Sequence, residues 1–416
     1  MNSSEWKKYS LGEICSLMGG TAFPRESQNS ADGTIPFIKV SDLNTNGNER
    51  WIDYANNHIS ESEAKKLRAK IHPPLATTFA KIGIALTFNR RRLLRKRTIV
   101  DNNMASAVPN KSIIDPIFFY YLLLTVDFNK ISSGTALPYL NFSDLEQIPV
   151  YVPTLTIQWC IAEILSSLDD KIELNQQTNA TLEAIAQAIF KEWFVDFNYP
   201  GATGEMVESE LGPIPKGWRV GILNEVLSSL ESGSRPKGGV GNLSEGIPSI
   251  GAENINGLGF YDYSKEKYVS KEFFAKLKRG IVKSEDVLLY KDGASLGRKT
   301  LFMDNFPHQT CAINEHVFIL RSNRLINQFF LYFWLDQSYM TEYIKNINSN
   351  SAQPGINQSG VKSLPILIPE KKISNKFEQT MKPLLSNLFS NCKESNSLAR
   401  IRDELLPKLM NRDMNF

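Results

Sequence analysis

Along one stretch of this chain the apolar positions fall in a fixed rhythm. From Ile161 they run through Leu165, Leu168, Ile172, Asn175, Asn179, Leu182, Ala186, Ile189 and Trp193, in alternating steps of four and three. A mean step of about 3.5 residues keeps one helix face turned to a partner, so the pattern predicts a coiled-coil helix. The rhythm returns 216 positions later, at Phe377, Met381, Leu384, Leu388, Asn391, Ser395, Leu398, Arg402, Leu405 and Leu409. One such helix would most simply pack on its own domain; two in matching register point to a helix pair. Both seams turn polar in the middle. If the helices run antiparallel, Asn175 is expected opposite Ser395 and Asn179 opposite Asn391, and buried polar residues there fix register at some cost in stability. The second seam departs from the ideal: Arg402 sits on it, and Pro407 is expected to kink or fray its last turn.

The remaining chain alternates differently, and it too is written twice. Trp6 and Trp218 stand 212 positions apart, and at that offset "LGEIC" falls on "LNEVL", Pro24 on Pro236 and "IPFIKVSDLN" on "IPSIGAENIN". The offset then drifts to 216, where Pro138 matches Pro354, Asn141 matches Asn357 and "IPVYVP" matches "LPILIP". Short β-rich runs ("IPFIKV", "DVLLY", "HVFILRS") between Gly, Asn and Pro turns predict a curved, mostly antiparallel sheet. Each copy adds one amphipathic helix, "PIFFYYLLLTV" or "NQFFLYFWLDQ". The expected fold is α+β: two similar globular domains separated by two long antiparallel coiled-coil helices, in a pseudo-two-fold internal repeat. Its parts are a domain over 1–153, a helical spacer over 154–197, an exposed linker over 198–217, a second domain over 218–369 and a second spacer over 370–416.

Composition narrows the class. The 416 residues carry 42% hydrophobic and 22% charged residues with a net charge of +3, which fits a globular protein whose basic surface is local. Cys15, Cys160, Cys311 and Cys392 are far apart and have no His at ligand spacing, so reduced thiols are expected rather than a metal or disulfide framework. No run of 18 apolar residues occurs, and the expected setting is the cytoplasm, away from membranes.

Three stretches carry a family likeness: "LNQQTNATLEAIAQAIFKEWFVDF" (Leu174–Phe197), "SELGPIPKGW" (Ser209–Trp218) and "RDELLPKLM" (Arg402–Met410). Together they resemble the specificity subunit of Type I restriction–modification systems, over essentially the whole chain. That resemblance implies two target-recognition domains, each reading half of a bipartite double-stranded DNA sequence. It implies helices that act as a ruler and dock two modification subunits, which methylate adenine N6 and bind S-adenosylmethionine, with restriction subunits joining through them. The chain itself is expected to be non-catalytic and to hold no cofactor.

Apparent enzyme motifs agree with that expectation. "IHPPL" lacks the acid or amide and the aromatic of an adenine methyltransferase signature, and "GLGF" is a lone turn. "GASLGRKT" separates its glycines by three residues where a phosphate-binding loop needs four, and a strand-like "LFM" follows. Candidate DNA contacts are sought instead in basic and Gly-rich loops. "NRRRLLRKR" offers Arg90, Arg91, Arg92, Arg95, Lys96 and Arg97; a solvated hairpin tip is the plainer alternative. Lys81 of "KIG" corresponds to Lys291 of "KDG", near Ser295, Arg298 and Lys299. The loops "GGTAFPRES" and "ESGSRPKGG" add Thr21, Arg25, Ser234, Arg235 and Lys237 on backbone expected to approach DNA closely. The rival readings are a protein-interaction scaffold that does not bind DNA, and an enzyme with an unrecognised site.

Overall fold

The computed structural model describes residues 6–30, 33–134, 136–240, 243–347 and 354–411. The outer ends of the expected first domain and second spacer, 1–5 and 412–416, lie outside these residues. The chain divides into two compact units, Met1–Glu173 with Ser397–Phe416, and Leu174–Asn396.

In the first unit the apolar runs form several small sheets rather than the single curved one expected. Five strands lie in the order Cys15–Gly19, Met104–Pro109, Thr77–Ala80, Arg91–Leu94 and Trp51–Ile52, antiparallel except for the last pair. Four more run His58–Ile59, Ile35–Ile38, Thr98–Val100 and Ile71–His72, with the central pair parallel. Lys7–Ser10 pairs with Pro149–Val152 and returns the chain to the start of the first long helix. The second unit repeats this plan. Leu227–Ser232, Val317–Ser322, Asp286–Tyr290 and Lys299–Phe302 form an antiparallel sheet, and Ile247–Ile250 lies between antiparallel Tyr268–Val269 and parallel Ala312–Ile313.

The short helix of each unit differs from the amphipathic one expected. Asp115 caps Pro116–Thr125 by accepting the Ile117 and Phe118 N–H groups, and Phe118 through Leu123 are all buried. In the second unit Asn327 caps Gln328–Asp336 through the Phe330 N–H, and Phe329 through Leu335 are buried on every face. A helix apolar all round belongs inside the core, between sheet and long helix, and has no solvent stripe to show.

The long helices are Leu155–Phe194 and Lys371–Leu409. The second runs on through Pro383 and for two residues past Pro407. All twenty seam positions are buried or half-buried. Within the second unit the two helices run antiparallel. Asn175 Nδ2 donates to Ser395 Oγ at 3.2 Å and to Glu394 Oε2 at 2.8 Å, and Asn391 Nδ2 donates to Asn179 Oδ1 at 2.9 Å. The helices also pack on their own globular parts. Phe190 and Phe194 pack, tilted or edge-on, against both Phe377 of the other helix and Phe330 of the short one. In the first unit Arg50 reaches the first long helix by pairing with Asp170 and, at 2.7 Å, with Glu173.

The expected linker is only partly loose. Residues 200–208 are exposed, but Met206–Val207 pairs with Ile214–Pro215, whose side chains are buried. Tyr199 then stacks on Trp218 at 4.9 Å between ring centroids. No helix among the described residues is long and apolar enough to cross a membrane.

Candidate nucleic-acid interface

The Gly-rich loops and the Lys81 and Lys291 loops meet at one end of the main sheet in each unit, on a framework that is the same twice, whereas Arg95–Arg97 of the basic run lie at the sheet's other end. After Thr77–Ala80 the chain makes three backbone bonds: Lys81 N–H to the Asn103 carbonyl at 2.9 Å, Gly83 N–H to Pro138 at 2.8 Å, and Leu140 N–H back to Lys81 at 2.9 Å. After Asp286–Tyr290 the same three recur as Lys291 to His316 at 3.0 Å, Gly293 to Pro354 at 2.7 Å, and Ile356 to Lys291 at 2.9 Å. The Gly-rich loop joins through Gly20 N–H to Met104 at 3.2 Å in one unit and Gly233 N–H to Val317 at 3.4 Å in the other.

Of the glycines in these loops, Gly20 and Gly233 are closed to a ligand, while Gly238 and Gly239 have open space where a Cβ would stand. A Cβ on Gly20 would stand 2.0 Å from the Asp101 carbonyl oxygen, and one on Gly233 would stand 2.2 Å from that of Asn314. Glycine is needed there because a neighbouring turn closes on the backbone. Thr21 pairs with Asp101 in an isolated parallel bridge, and its hydroxyl accepts the Lys70 N–H at 2.9 Å, which occupies one of its two lone pairs. Arg25 and Lys237 are exposed; Arg235 is exposed too and pairs with Glu315 at 3.0 Å. Lys81 lies over the Phe142 ring at 5.6 Å. Lys291 pairs with Asp292 at 2.9 Å, and Asp292 also bonds His316 Nδ1 at 2.7 Å. Burial works to raise the Asp292 pKa, but His316 and Lys291 hold it below the usual carboxylate range. Ser234 and Ser295 are half-buried and Arg298 is exposed.

The basic run does not behave as one patch. Arg91 is 1% exposed: its guanidinium donates to the Asn89 and Val126 carbonyls and lies 3.7 Å from the Phe128 ring centroid. Burial, partly offset by Asp127, pushes its pKa down to about 10, which leaves it charged at neutral pH. Arg91 is therefore a core residue, not a phosphate contact, because strand alternation turns it under the sheet. Arg92 donates to the Leu43 carbonyl at 2.9 Å and is likewise drawn into the fold. Arg95 pairs with Asp53 over the Trp51 ring, and Arg97 pairs with Glu61 at 3.0 Å, so both are surface ion pairs. Arg90, half-buried over Phe88, and exposed Lys96 are the two charges of the run outside these ion pairs and outside the core. Lys299 is a second correction. It is 5% exposed, donates to the Leu335 carbonyl at 2.8 Å and Thr341 Oγ1 at 2.6 Å, and begins the strand Lys299–Phe302. That strand occupies the place where a phosphate-binding loop needs a helix N-terminus.

Sequence reasoning missed two features of the same end. One is the turn between strands, Asp101–Asn103 and Asn314–His316, whose signal was a polar triplet, "DNN" or "NEH", between apolar runs. The other is an apolar outcrop in the first unit, where Ile84 is 72% exposed and Leu137 59%, with Phe88 and Tyr139 also exposed. Among the described residues no group of acidic, His and Cys side chains could hold a metal ion, and the four cysteines are unpaired.

Comparison with known proteins agrees with the duplicated plan. The Type I restriction modification DNA specificity domain family matches residues 3–184 and again 215–400. The chain is 27% identical to the specificity subunit of the Type I restriction enzyme MjaIX of Methanocaldococcus jannaschii, covering 98% of this chain and 93% of that one. It is 26% identical to the HindI specificity subunit of Haemophilus influenzae, covering 99% and 100% respectively. The solved S subunit of a Type I system from M. genitalium shares the fold, with a TM-score of 0.61 at 17% identity over 99% of this chain and 97% of that one. With two copies of one domain matching one family in tandem, this chain belongs to the Type I restriction–modification specificity subunits.

Proposed function

We propose that each unit reads one half of a bipartite double-stranded DNA target, and that the long helices set the distance between the halves. The observation that carries this is the twice-built loop framework. It presents the same backbone scaffold with different outward side chains, as two unlike half-sites require. The helices would also dock two modification subunits, which methylate adenine N6 with their own S-adenosylmethionine, and restriction subunits would join through these. Outward apolar residues on the first long helix support docking: Trp159 is 57% exposed and Leu174 54%, and Ile164 and Ile185 are exposed as well. The chain would be non-catalytic and cytoplasmic. Methylome sequencing of cells expressing it with its modification subunit tests the reading. A split motif methylated on both strands is the expected result; a scaffold that does not bind DNA would yield no motif.

A further inference from the structure

The turn that the sequence did not single out occupies the centre of the framework in both units, and its construction separates a fixed residue from two variable ones. In the first unit Asp101 N–H donates to the Ile38 carbonyl at 2.9 Å, Met104 N–H returns to Asp101 at 2.8 Å, and the Asp101 side chain accepts the Asn103 N–H at 2.9 Å. In the second unit Asn314 makes the same three bonds, to Ile250 at 2.9 Å, from Val317 at 3.2 Å and from His316 N–H at 2.9 Å. The first residue of each triplet thus shapes the turn. The next two point outward: Asn102 and Asn103 are exposed, and Glu315 and His316 are half-buried beside the basic loop residues.

We propose that these turns are base-reading elements, with Asn102 and Asn103 serving one half-site and Glu315, working with Arg235, serving the other. The proposal deepens the DNA-reading role above and rests on it. Conserving the turn's backbone while exchanging its outward chemistry is what two different half-sites need. Charge decides what Glu315 can touch. A carboxylate is repelled by phosphates, so within a DNA interface it suits an amine donor, the cytosine N4 group in the major groove. Its 3.0 Å ion pair with Arg235 ties up one side of the guanidinium and leaves other N–H groups for guanine O6 and N7. In a C·G pair the cytosine amine and guanine O6 are bonded to each other, so an adjoining Glu–Arg pair matches both edges at once. The carboxamides of Asn102 and Asn103 each offer a donor and an acceptor in one plane, the complement of adenine N6 and N7. The half-sites are therefore expected to contain an adenine opposite the first turn and a C·G pair opposite the second.

The test uses the full chain with its modification subunit and reads the methylated motif. Asn102→Ala with Asn103→Ala should broaden one position of one half-site, with discrimination falling about tenfold. Glu315→Ala with Arg235→Ala should broaden a C·G position of the other half-site. In each case the untouched half-site and the gap stay as they were, which shows that the variant has folded. A motif unchanged in both variants would overturn the assignment while leaving the DNA-reading role intact. If a variant abolishes methylation, competition binding of the purified complex against targets altered one base pair at a time decides. Equal loss on all DNA, scrambled DNA included, would make the turn structural and overturn the proposal; lost discrimination at one base pair would support it. Failure of the parent reading looks different: the unsubstituted complex would give no split motif at all.

Discussion

Asp169 and Arg402, one from each long helix, form a 2.6 Å ion pair, and Arg402 stands where the heptad pattern calls for an apolar side chain. Asp169 also accepts the Tyr121 hydroxyl at 2.6 Å, joining both helices to the buried short helix. Burial works against the charge of Arg402, but Asp169 and Asp403 more than offset it and hold its pKa above the ordinary value. Burial and Asp169 together raise that of Tyr121, which keeps its proton and donates. At the positions related by the repeat, the second unit has Leu385 and Ala186, both fully buried, and, counting from the helix caps Asp115 and Asn327, buried Phe333 in place of Tyr121. The fold thus solves one joint twice, once with charge and once with hydrocarbon.

That contrast predicts an asymmetric mutational response. Asp169→Ala alone should cost about 3 kcal/mol, because Arg402 and Tyr121 lose a buried acceptor. Asp169→Leu with Arg402→Ala and Tyr121→Phe copies the apolar solution and should recover most of that loss. Urea denaturation of the three proteins checks this. A triple variant no more stable than Asp169→Ala would mean the ion pair is not exchangeable for packing here.

The basic run gives a second prediction, in which stability and DNA affinity separate. Arg91→Ala leaves two carbonyls and an aromatic face without their cation, and should destabilise by about 2–4 kcal/mol. Arg90→Ala and Lys96→Ala should leave stability within about 0.5 kcal/mol. If those side chains lie on phosphates, each should reduce the slope of log K against log salt by about 0.9. Anisotropy titrations at several salt concentrations measure it, and an unchanged slope would place the run away from DNA.

These two cases show what the sequence could and could not express. The seam Ile161–Trp193 and the facing of Asn175 with Ser395 were legible because a coiled coil is periodic and its contacts follow from spacing alone. Arg91 was not, because six basic residues within eight positions read as a surface, whereas strand alternation turns Arg91 inward to meet Val126 and Phe128 from a distant segment. Arg402 looked like a defect until its partner, 233 positions away, was placed beside it. Gly20 and Gly233 misled for the same reason. What demanded glycine was a turn 81 residues further on in each copy, invisible to any local reading.

A third prediction concerns acid. His72 is fully buried in the first unit, and burial, with Lys70 nearby, pushes its pKa down to about 4 from the usual 6.5. Between those values the unfolded chain binds a proton that the folded chain refuses, so stability rises with pH across that window and is lost as pH falls from about 6.5 towards 4. The full effect is on the order of 3 kcal/mol. The raised pKa values of Glu183 and Asp336, due first to burial, act in the opposite sense near the carboxylate range. His72→Leu should therefore flatten denaturation midpoints between pH 6.5 and 5, while a parallel curve for the variant would exclude His72 as the source.

The spacing role proposed for the helices yields the last prediction, and the structure dictates how to test it. Because Asn175 bonds Ser395 and Asn391 bonds Asn179, a position on one helix faces the position on the other that keeps their sum constant. An insertion in one helix alone would therefore break the register of everything beyond it. The boundaries of the compact units, Glu173/Leu174 and Asn396/Ser397, face each other by the same rule. Four residues inserted after Glu173, together with four after Asn396, lengthen both helices by roughly 6 Å and leave the contacts inside each unit as they are. Four residues are close to one helical turn, so the seam is disturbed least, though the insertion remains a stutter. Since DNA rises about 3.4 Å per base pair, the gap between half-sites should grow by about two base pairs while the bases in each half-site stay the same. Two residues inserted at both places would turn the seam by about 200° and should prevent assembly. Methylome sequencing distinguishes these outcomes. A four-residue pair of insertions that left the gap unchanged, with methylation retained, would show that something other than helix length sets the spacing.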